Sequence, residues 1–292
     1  MAASSHVRST AAQAARPARE LRARIADLPP APALNLNAFD LIAEVKLRSP
    51  AVGLLRAAAE EDVGARVATY ANAGAAAVSI LTEPSRFEGS LEHLSAASSA
   101  LRAMRVPAMR KDFLVDPYQV VEARAAGAGG VLIILRMLSR AQLEELCSAA
   151  RACGLFALLE AFDETDIELA HGLLETLNSQ EPPAPRIAPG RSANSRIRPE
   201  MARVQWLVGV NCRDLTTLQV VPGRLEKLVQ LLPNHVPRVA ESGVATAADA
   251  SRAAAAGYDF ALVGSALMSS TDPRALAHEM IVAGRRARAQ WI

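Results

Sequence analysis

The chain has 292 residues, 51% of them hydrophobic and 21% charged, with a formal net charge of +2. That balance supports one large folded domain and excludes a disordered chain. The lack of any basic stripe interleaved with aromatics excludes a dedicated nucleic-acid binder, and no apolar run reaches the roughly 18 residues of a membrane span.

Aromatics supply only 4% of the residues, so the core must come from Ala, Leu, Val and Ile, which suits helices layered on parallel strands. Cys147, Cys153 and Cys212 form neither a CxxC pair nor an even framework, and the five histidines are scattered without ligand spacing. The expectation is a cytoplasmic protein in a reducing compartment, with no metal site and no disulfide.

The first 27 residues are rich in Ala, Ser and Arg and poor in acid, a composition shared by transit peptides and by ordinary Ala/Arg helices. We read them as helix. Pro29, Pro30 and Pro32 end it, giving an N-terminal helical extension and Pro-rich linker over residues 1–38 and one further unit over 39–292.

Within that unit a short apolar strand, a polar or glycine-bearing turn and an Ala-rich amphipathic stretch alternate. Strands are predicted at Leu41–Lys46, Ala77–Leu81, Ala108–Arg110, Gly130–Ile134, Phe156–Glu160, Trp206–Val210, Arg238–Glu241 and Phe260–Val263. Helices are predicted near Glu61–Ala73, Leu91–Arg102, Pro117–Ala126, Arg140–Cys153, Glu164–Leu177, Val221–Leu232, Ala247–Ala256 and Pro273–Arg285. Eight βα units in succession predict an α/β fold, a single (β/α)₈ TIM barrel.

One stretch breaks the rhythm. Residues 180–199, inside an insertion at about 178–203, carry five prolines and no apolar period. They read as a surface loop in the fifth βα unit, a basic docking arm being the alternative. Such a loop contributes little to cooperative stability. Replacing 180–199 with a short Gly/Ser connection is therefore expected to shift Tm by only a few degrees, about the cost of a tolerated loop change. Activity in the shortened protein checks this, and a folded but inactive variant would make the segment a lid.

The C-terminal ends of barrel strands carry active sites, so the residues falling there are the candidates. Strand one ends in Glu44 and Lys46, two residues apart and hence on one face, followed by Ser49. Strand three runs into Arg110, Lys111, Asp112 and Phe113, and strand five ends at Glu160. Strand six gives Asn211, Arg213 and Asp214, the last two read most simply as a structural ion pair. Strand seven closes with Glu241, Ser242 and Gly243, strand eight with Gly264 and Ser265. A lone rim Glu or Lys is usually just solvated, but three carboxylates and two lysines at the same strand ends point to acid–base chemistry. Ser-Gly and Gly-Ser turns after strands seven and eight suit a phosphate, with Ser265–Met268 as a short helix facing it.

In order, IAEVKLRSP at 42–50, SILTEPSRFEGSLEHL at 79–94, RKDFLVDPYQVVEARAAGA at 110–128, LLEAFDE at 158–164, VGVNCRDL at 208–215, AESG at 240–243 and LVGSALM at 262–268 closely resemble the indole-3-glycerol-phosphate synthases of tryptophan biosynthesis. The resemblance spans about residues 39–273. It implies a cofactor-free, metal-free lyase that converts 1-(2-carboxyphenylamino)-1-deoxyribulose 5-phosphate to indole-3-glycerol phosphate, losing carbon dioxide and water. It implies Lys111 as general acid toward the ribulose carbonyl, Glu160 as acid/base in dehydration, and Glu44 as the supporting carboxylate. Lys46 would hold the anthranilate carboxylate, while Asn211 and Glu241 would orient the ribulose hydroxyls. Phe113, Arg213 and Leu262 would also touch substrate, and Ser49, Ser242, Gly243, Gly264 and Ser265 would cradle the phosphate. Leu47, Arg48 and Ala51 depart from residues common in the family, and the N-terminal segment resembles the family's extra helix only in position and composition. A monomer or weak homo-oligomer is expected.

The competing readings are a non-catalytic barrel that keeps the phosphate cradle, and a different phosphosugar barrel enzyme such as an isomerase. The full set of Glu44, Lys46, Lys111, Glu160 and Asn211 argues against the first. Cys212, poorly placed to be a base beside Asn211, argues against the second. Burial and the cations Arg110 and Lys46 are expected to lower the Lys111 pKa, within a cluster whose titrations are coupled.

Overall fold

The structure is a computed structural model that describes residues 1–57, 61–179, 205–214 and 217–289. Eight strands close a barrel in chain order, every neighbour parallel: β1 (Asp40–Val45), β2 (Ala77–Leu81), β3 (Ala108–Lys111), β4 (Gly130–Ile134), β5 (Phe156–Ala161), β6 (Trp206–Asn211), β7 (Arg238–Glu241) and β8 (Phe260–Val263), which returns to β1. The insertion at 180–199 lies outside the described residues.

The strands are apolar on both faces because both are covered. Side chains facing the helices join the larger core, whereas Ile42, Met109, Leu132, Phe156, Leu158, Leu207, Val239 and Phe260 pack together inside the barrel. Leu34 from the Pro-rich linker joins this inner cluster. Apolar filling of the barrel interior leaves the polar inward positions at the C-terminal ends of the strands.

Two helices precede the barrel, α1 (Ala2–Ala15) and α2 (Ala18–Ala26). The single predicted helix is split because Arg16, held extended before Pro17, cannot continue it. The outer helices are α3 (Val63–Asn72), α4 (Leu91–Leu101), α5 (Pro117–Ala125), α6 (Arg140–Ala152), α7 (Glu164–Ser179), α8 (Arg224–Leu228), α9 (Ala247–Ala256), α10 (Ser265–Ser269) and α11 (Pro273–Ala289). Their starts follow local chemistry. Asp62, Ser90 and Asp116 cap α3, α4 and α5, and capping boxes Ser139–Gln142 and Thr246–Asp249 open α6 and α9.

The predicted helix over Val221–Leu232 is much shorter. Left-handed Gly223 delays its start, and after Leu228 the chain tightens into a 3₁₀ turn over Val229–Leu231. Three small elements were not predicted: a hairpin pairing Arg48–Ser49 with Gly53–Leu54, a one-turn helix over Pro84–Phe87 capped by Glu83, and a 3₁₀ turn over Leu135–Met137. The first two stand over the barrel mouth.

Candidate active site

Strand register gathers the charges. Glu44 lies at the end of β1, Lys111 ends β3, Glu160 pairs with Gly209 across β5 and β6, and Asn211 pairs with Glu241 across β6 and β7. A cavity of about 340 Å³ opens above them, within the range of small-ligand sites. Every predicted site residue lines it except Glu241, which is 0% exposed and lies under the floor.

Lys46 Nζ is 2.7 Å from Glu44 Oε1, and Lys111 Nζ is 3.0 Å from Glu44 Oε2 and 3.7 Å from Glu241 Oε2. Two ammoniums therefore share one buried carboxylate. Burial alone would raise the Glu44 pKa, but Lys111 and Lys46 overcome it and hold the group down at about 2. Opposite this group, Asn211 Nδ2 donates to Glu160 Oε1 at 2.8 Å. The Asn211 carbonyl oxygen accepts from Ser242 Oγ at 3.0 Å and from the Arg213 amide at 2.9 Å, which fixes the orientation of its amide.

Lys111 corrects one expectation. Burial pulls its pKa down, yet Glu44, Glu241 and Glu160 together raise it above the ordinary lysine value. Arg110, expected to help lower it, faces the outer layer, where it donates to the Gln119 carbonyl and Glu122 of α5 and to Thr82 and Asp112. The ammonium is thus held charged. Arg213 likewise does not read as half of a simple ion pair, since its guanidinium donates to the Leu218 carbonyl while Asp214 accepts from the Thr217 amide and hydroxyl.

The turns after β7 and β8 are built from close approach. An added Cβ at Gly264 would lie 2.3 Å from Glu44 Oε1 and 2.9 Å from Lys46 Nζ, so only glycine lets the β8 turn pass beside this pair. Ser242 and Gly243 both take left-handed backbone, φ +66° and +73°, turning the chain sharply off β7. Ser49, Ser242, Gly243, Gly264 and Ser265 border one side of the cavity. Leu132, Ile134, Leu262, Phe87 and Phe113 give it an apolar wall. The rings of Phe87 and Phe113 stand 6.4 Å apart at 47°, a tilted pair packed on each other at the cavity edge.

The N-terminal helix, on which no binding residue was placed, reaches the site. Arg8 of α1 holds Asp112 with two bonds of 3.0 and 2.7 Å, Ser5 Oγ donates to the Phe113 carbonyl, and Met1 joins the cavity wall. These contacts flank Lys111. Phe87 falls within SILTEPSRFEGSLEHL, and an aromatic residue shortly after strand two is the signal the sequence offers for it.

A closed parallel barrel with a lysine–carboxylate cluster at the C-terminal rim has the architecture of a (β/α)₈ barrel enzyme. Solved structures agree on the fold. 3-Hexulose-6-phosphate synthase from Salmonella typhimurium aligns with TM-score 0.58 at 11% identity, covering 86% of this chain and 99% of that one. Thiamine phosphate pyrophosphorylase from Pyrococcus furiosus aligns with TM-score 0.56 at 16% identity, over 86% and 98%. The sequence model of indole-3-glycerol phosphate synthase matches residues 2–177 and 200–280. The enzyme of that name from Opitutus terrae is 39% identical over 82% of this chain and 79% of its own length. That of Parafrankia sp. is 39% identical over 86% and 81%. The chain belongs to the indole-3-glycerol phosphate synthase family, the carboxy-lyases of tryptophan biosynthesis. Its reaction is ring closure, decarboxylation and dehydration of 1-(2-carboxyphenylamino)-1-deoxyribulose 5-phosphate to indole-3-glycerol phosphate.

Proposed function

We propose that Lys111 is the general acid of ring closure, protonating the ribulose carbonyl oxygen as the ring carbon that bears the carboxylate attacks it. The observation that carries this role is the shared carboxylate: Glu44 holds Lys46 and Lys111 side by side at the cavity floor. One negative charge between two positive ones leaves a net cation facing substrate. Lys46 takes the anthranilate carboxylate, and Lys111 meets the carbonyl oxygen as negative charge develops on it.

Loss of carbon dioxide restores the aromatic ring and leaves a hydroxyl on the former carbonyl carbon. Glu160, oriented by Asn211, then removes the proton from the adjacent carbon so that the hydroxyl departs as water. Phe87 and Phe113 hold the ring, which keeps the attacking carbon within reach. The substrate phosphate lies at Ser49, Gly243, Gly264 and Ser265. Asn211 orients the ribulose hydroxyls through its amide. Ser242 supports this from behind, because its hydroxyl is spent on Asn211.

Purified protein given the carboxyphenylamino-deoxyribulose phosphate should produce indole fluorescence, and none would overturn the assignment. Replacing Ser265 with Asp sets a carboxylate against a phosphate dianion, so KM should rise far more than kcat falls. An unchanged KM would place the cradle elsewhere. The near-balanced charge of +2 supports action on a small molecule without nucleic acid, and three cysteines without a paired framework support a cytoplasmic setting; we take the protein as a monomer or weak homo-oligomer.

A further inference from the structure

Glu241 is the one member of the charged cluster that does not line the cavity, and its place under the floor has a chemical use. Glu241 is 0% exposed, neither of its oxygens receives a hydrogen bond from a donor among the described residues, and the Glu160 carboxyl is the group it meets at hydrogen-bond range. Oε2 faces Lys111 Nζ at 3.7 Å, while Oε1 occupies the space where Gly209 has no side chain. A Cβ at Gly209 would stand 2.2 Å from that oxygen. Gly209 is the register partner of Glu160, so the gap it leaves lies between the Glu160 and Glu241 strands.

The charged and polar groups on the surrounding strands are Glu44 of β1, Lys111 of β3, Glu160 of β5 and Asn211 of β6, with apolar Leu262 of β8 beside them. Burial and the Glu160 carboxylate raise the Glu241 pKa well above the ordinary glutamate value, against the pull of Lys111. Glu44, held ionised, has no proton to give.

We propose that Glu241 reloads Lys111 within a single turnover, so that one lysine serves as the acid twice: in ring closure and again in dehydration. This rests on the Lys111 and Glu160 roles above. The protons balance as follows. The Lys111 ammonium gives its proton to the carbonyl oxygen as the carbon–carbon bond forms, leaving a neutral amine. The Glu241 carboxyl, after closing the 3.7 Å gap by less than an ångström, passes its proton to that amine. The renewed ammonium then protonates the departing hydroxyl as the carbon–oxygen bond breaks, and the Glu160 carboxylate takes the proton from the neighbouring carbon. At the end Lys111 is neutral, Glu241 ionised and Glu160 protonated. Transfer from Glu160 to Glu241 and uptake of one proton from water restore the start. That uptake equals the one proton the overall reaction consumes when a carboxylate leaves as carbon dioxide.

Glu241 is accordingly a positioning residue for a proton rather than a hydroxyl ligand. Its test separates the two chemical stages under single-turnover conditions with enzyme in excess, following carbon dioxide release beside indole fluorescence. Glu241→Gln keeps the shape and a hydrogen-bond donor but cannot relay a proton. Indole appearance should slow roughly 10²-fold more than carbon dioxide release does, the scale of one acid–base contribution. The decarboxylated carbinol should accumulate, and Glu241→Asp should restore part of the second stage. Equal slowing of both stages would make Glu241 a binding or structural group and overturn the proposal, as would no slowing of either. Lys111→Ala is the control for the underlying reading. If it still releases carbon dioxide at the normal rate, Lys111 is not the ring-closure acid, whatever Glu241→Gln does.

Discussion

Lys111→Ala is expected to lower kcat by roughly 10²-fold or more, the scale of losing a positioned general acid, with a smaller change in substrate binding. The expectation follows from where the ammonium sits. It is half-buried, ion-paired to Glu44 at 3.0 Å, and held charged by the surrounding carboxylates, so at neutral pH it keeps its proton. Removing it also takes one of two cations from Glu44, whose pKa should then rise from its present depressed value. Glu160→Gln should be similarly slow for a different reason: the carboxamide keeps the bond to Asn211 but cannot accept the carbon-bound proton. Steady-state kinetics on both variants decide the matter, and near-normal turnover in either removes that residue from its role.

Gly264→Ala is the second large effect expected. The added methyl would enter within 2.3 Å of Glu44 Oε1 and 2.9 Å of Lys46 Nζ, contacts that cannot persist. Glu44 has no free direction in which to move, because both of its oxygens hold lysines. The pair must shift by close to an ångström, and misplacement on that scale costs roughly 10²-fold in rate. The turn that carries the phosphate cradle shifts with it, so KM should rise too. Circular dichroism should show the barrel still folded. Unaltered kinetics in a folded variant would mean that the β8 turn adapts and that the Glu44–Lys46 geometry is not critical.

The barrel was legible in the sequence because strands buried on both faces must be apolar throughout. Ala77–Leu81, Gly130–Ile134, Arg238–Glu241 and Phe260–Val263 have the same limits in the prediction and in the structure. Where limits differ at Lys111, Ala161 and Asn211, the strand runs one residue further than the apolar run suggested, since backbone pairing continues under the rim side chains; β1 instead runs Asp40–Val45, one residue earlier than predicted, and leaves Lys46 just past its end. The short α8 was misjudged because an amphipathic stretch from Val221 reads as helix until the left-handed backbone of Gly223 is known.

The site divides along a similar line. That Glu44, Lys46, Lys111, Glu160 and Asn211 meet on one rim followed from their placement at strand ends, which alternation along the chain sets. Their electrostatic states did not follow. Lys111 was expected to be depressed by Arg110, its neighbour in sequence, but period-two alternation sends Arg110 outward to Glu122 and leaves the ionised Glu44 foremost in raising Lys111 instead. The Arg8–Asp112 bond joins residues 104 apart, and nothing local in either segment announces it. Glu241 reads in sequence as one more rim carboxylate; only the missing side chain at Gly209 lets it sink beneath the floor. Sequence by itself determined the elements, their order and the strand ends that carry chemistry, because those depend on burial and periodicity along a few neighbouring residues. Tertiary structure alone decided which charges face one another and at what distance, because Coulomb interaction and desolvation depend on positions in space that contiguous residues do not share.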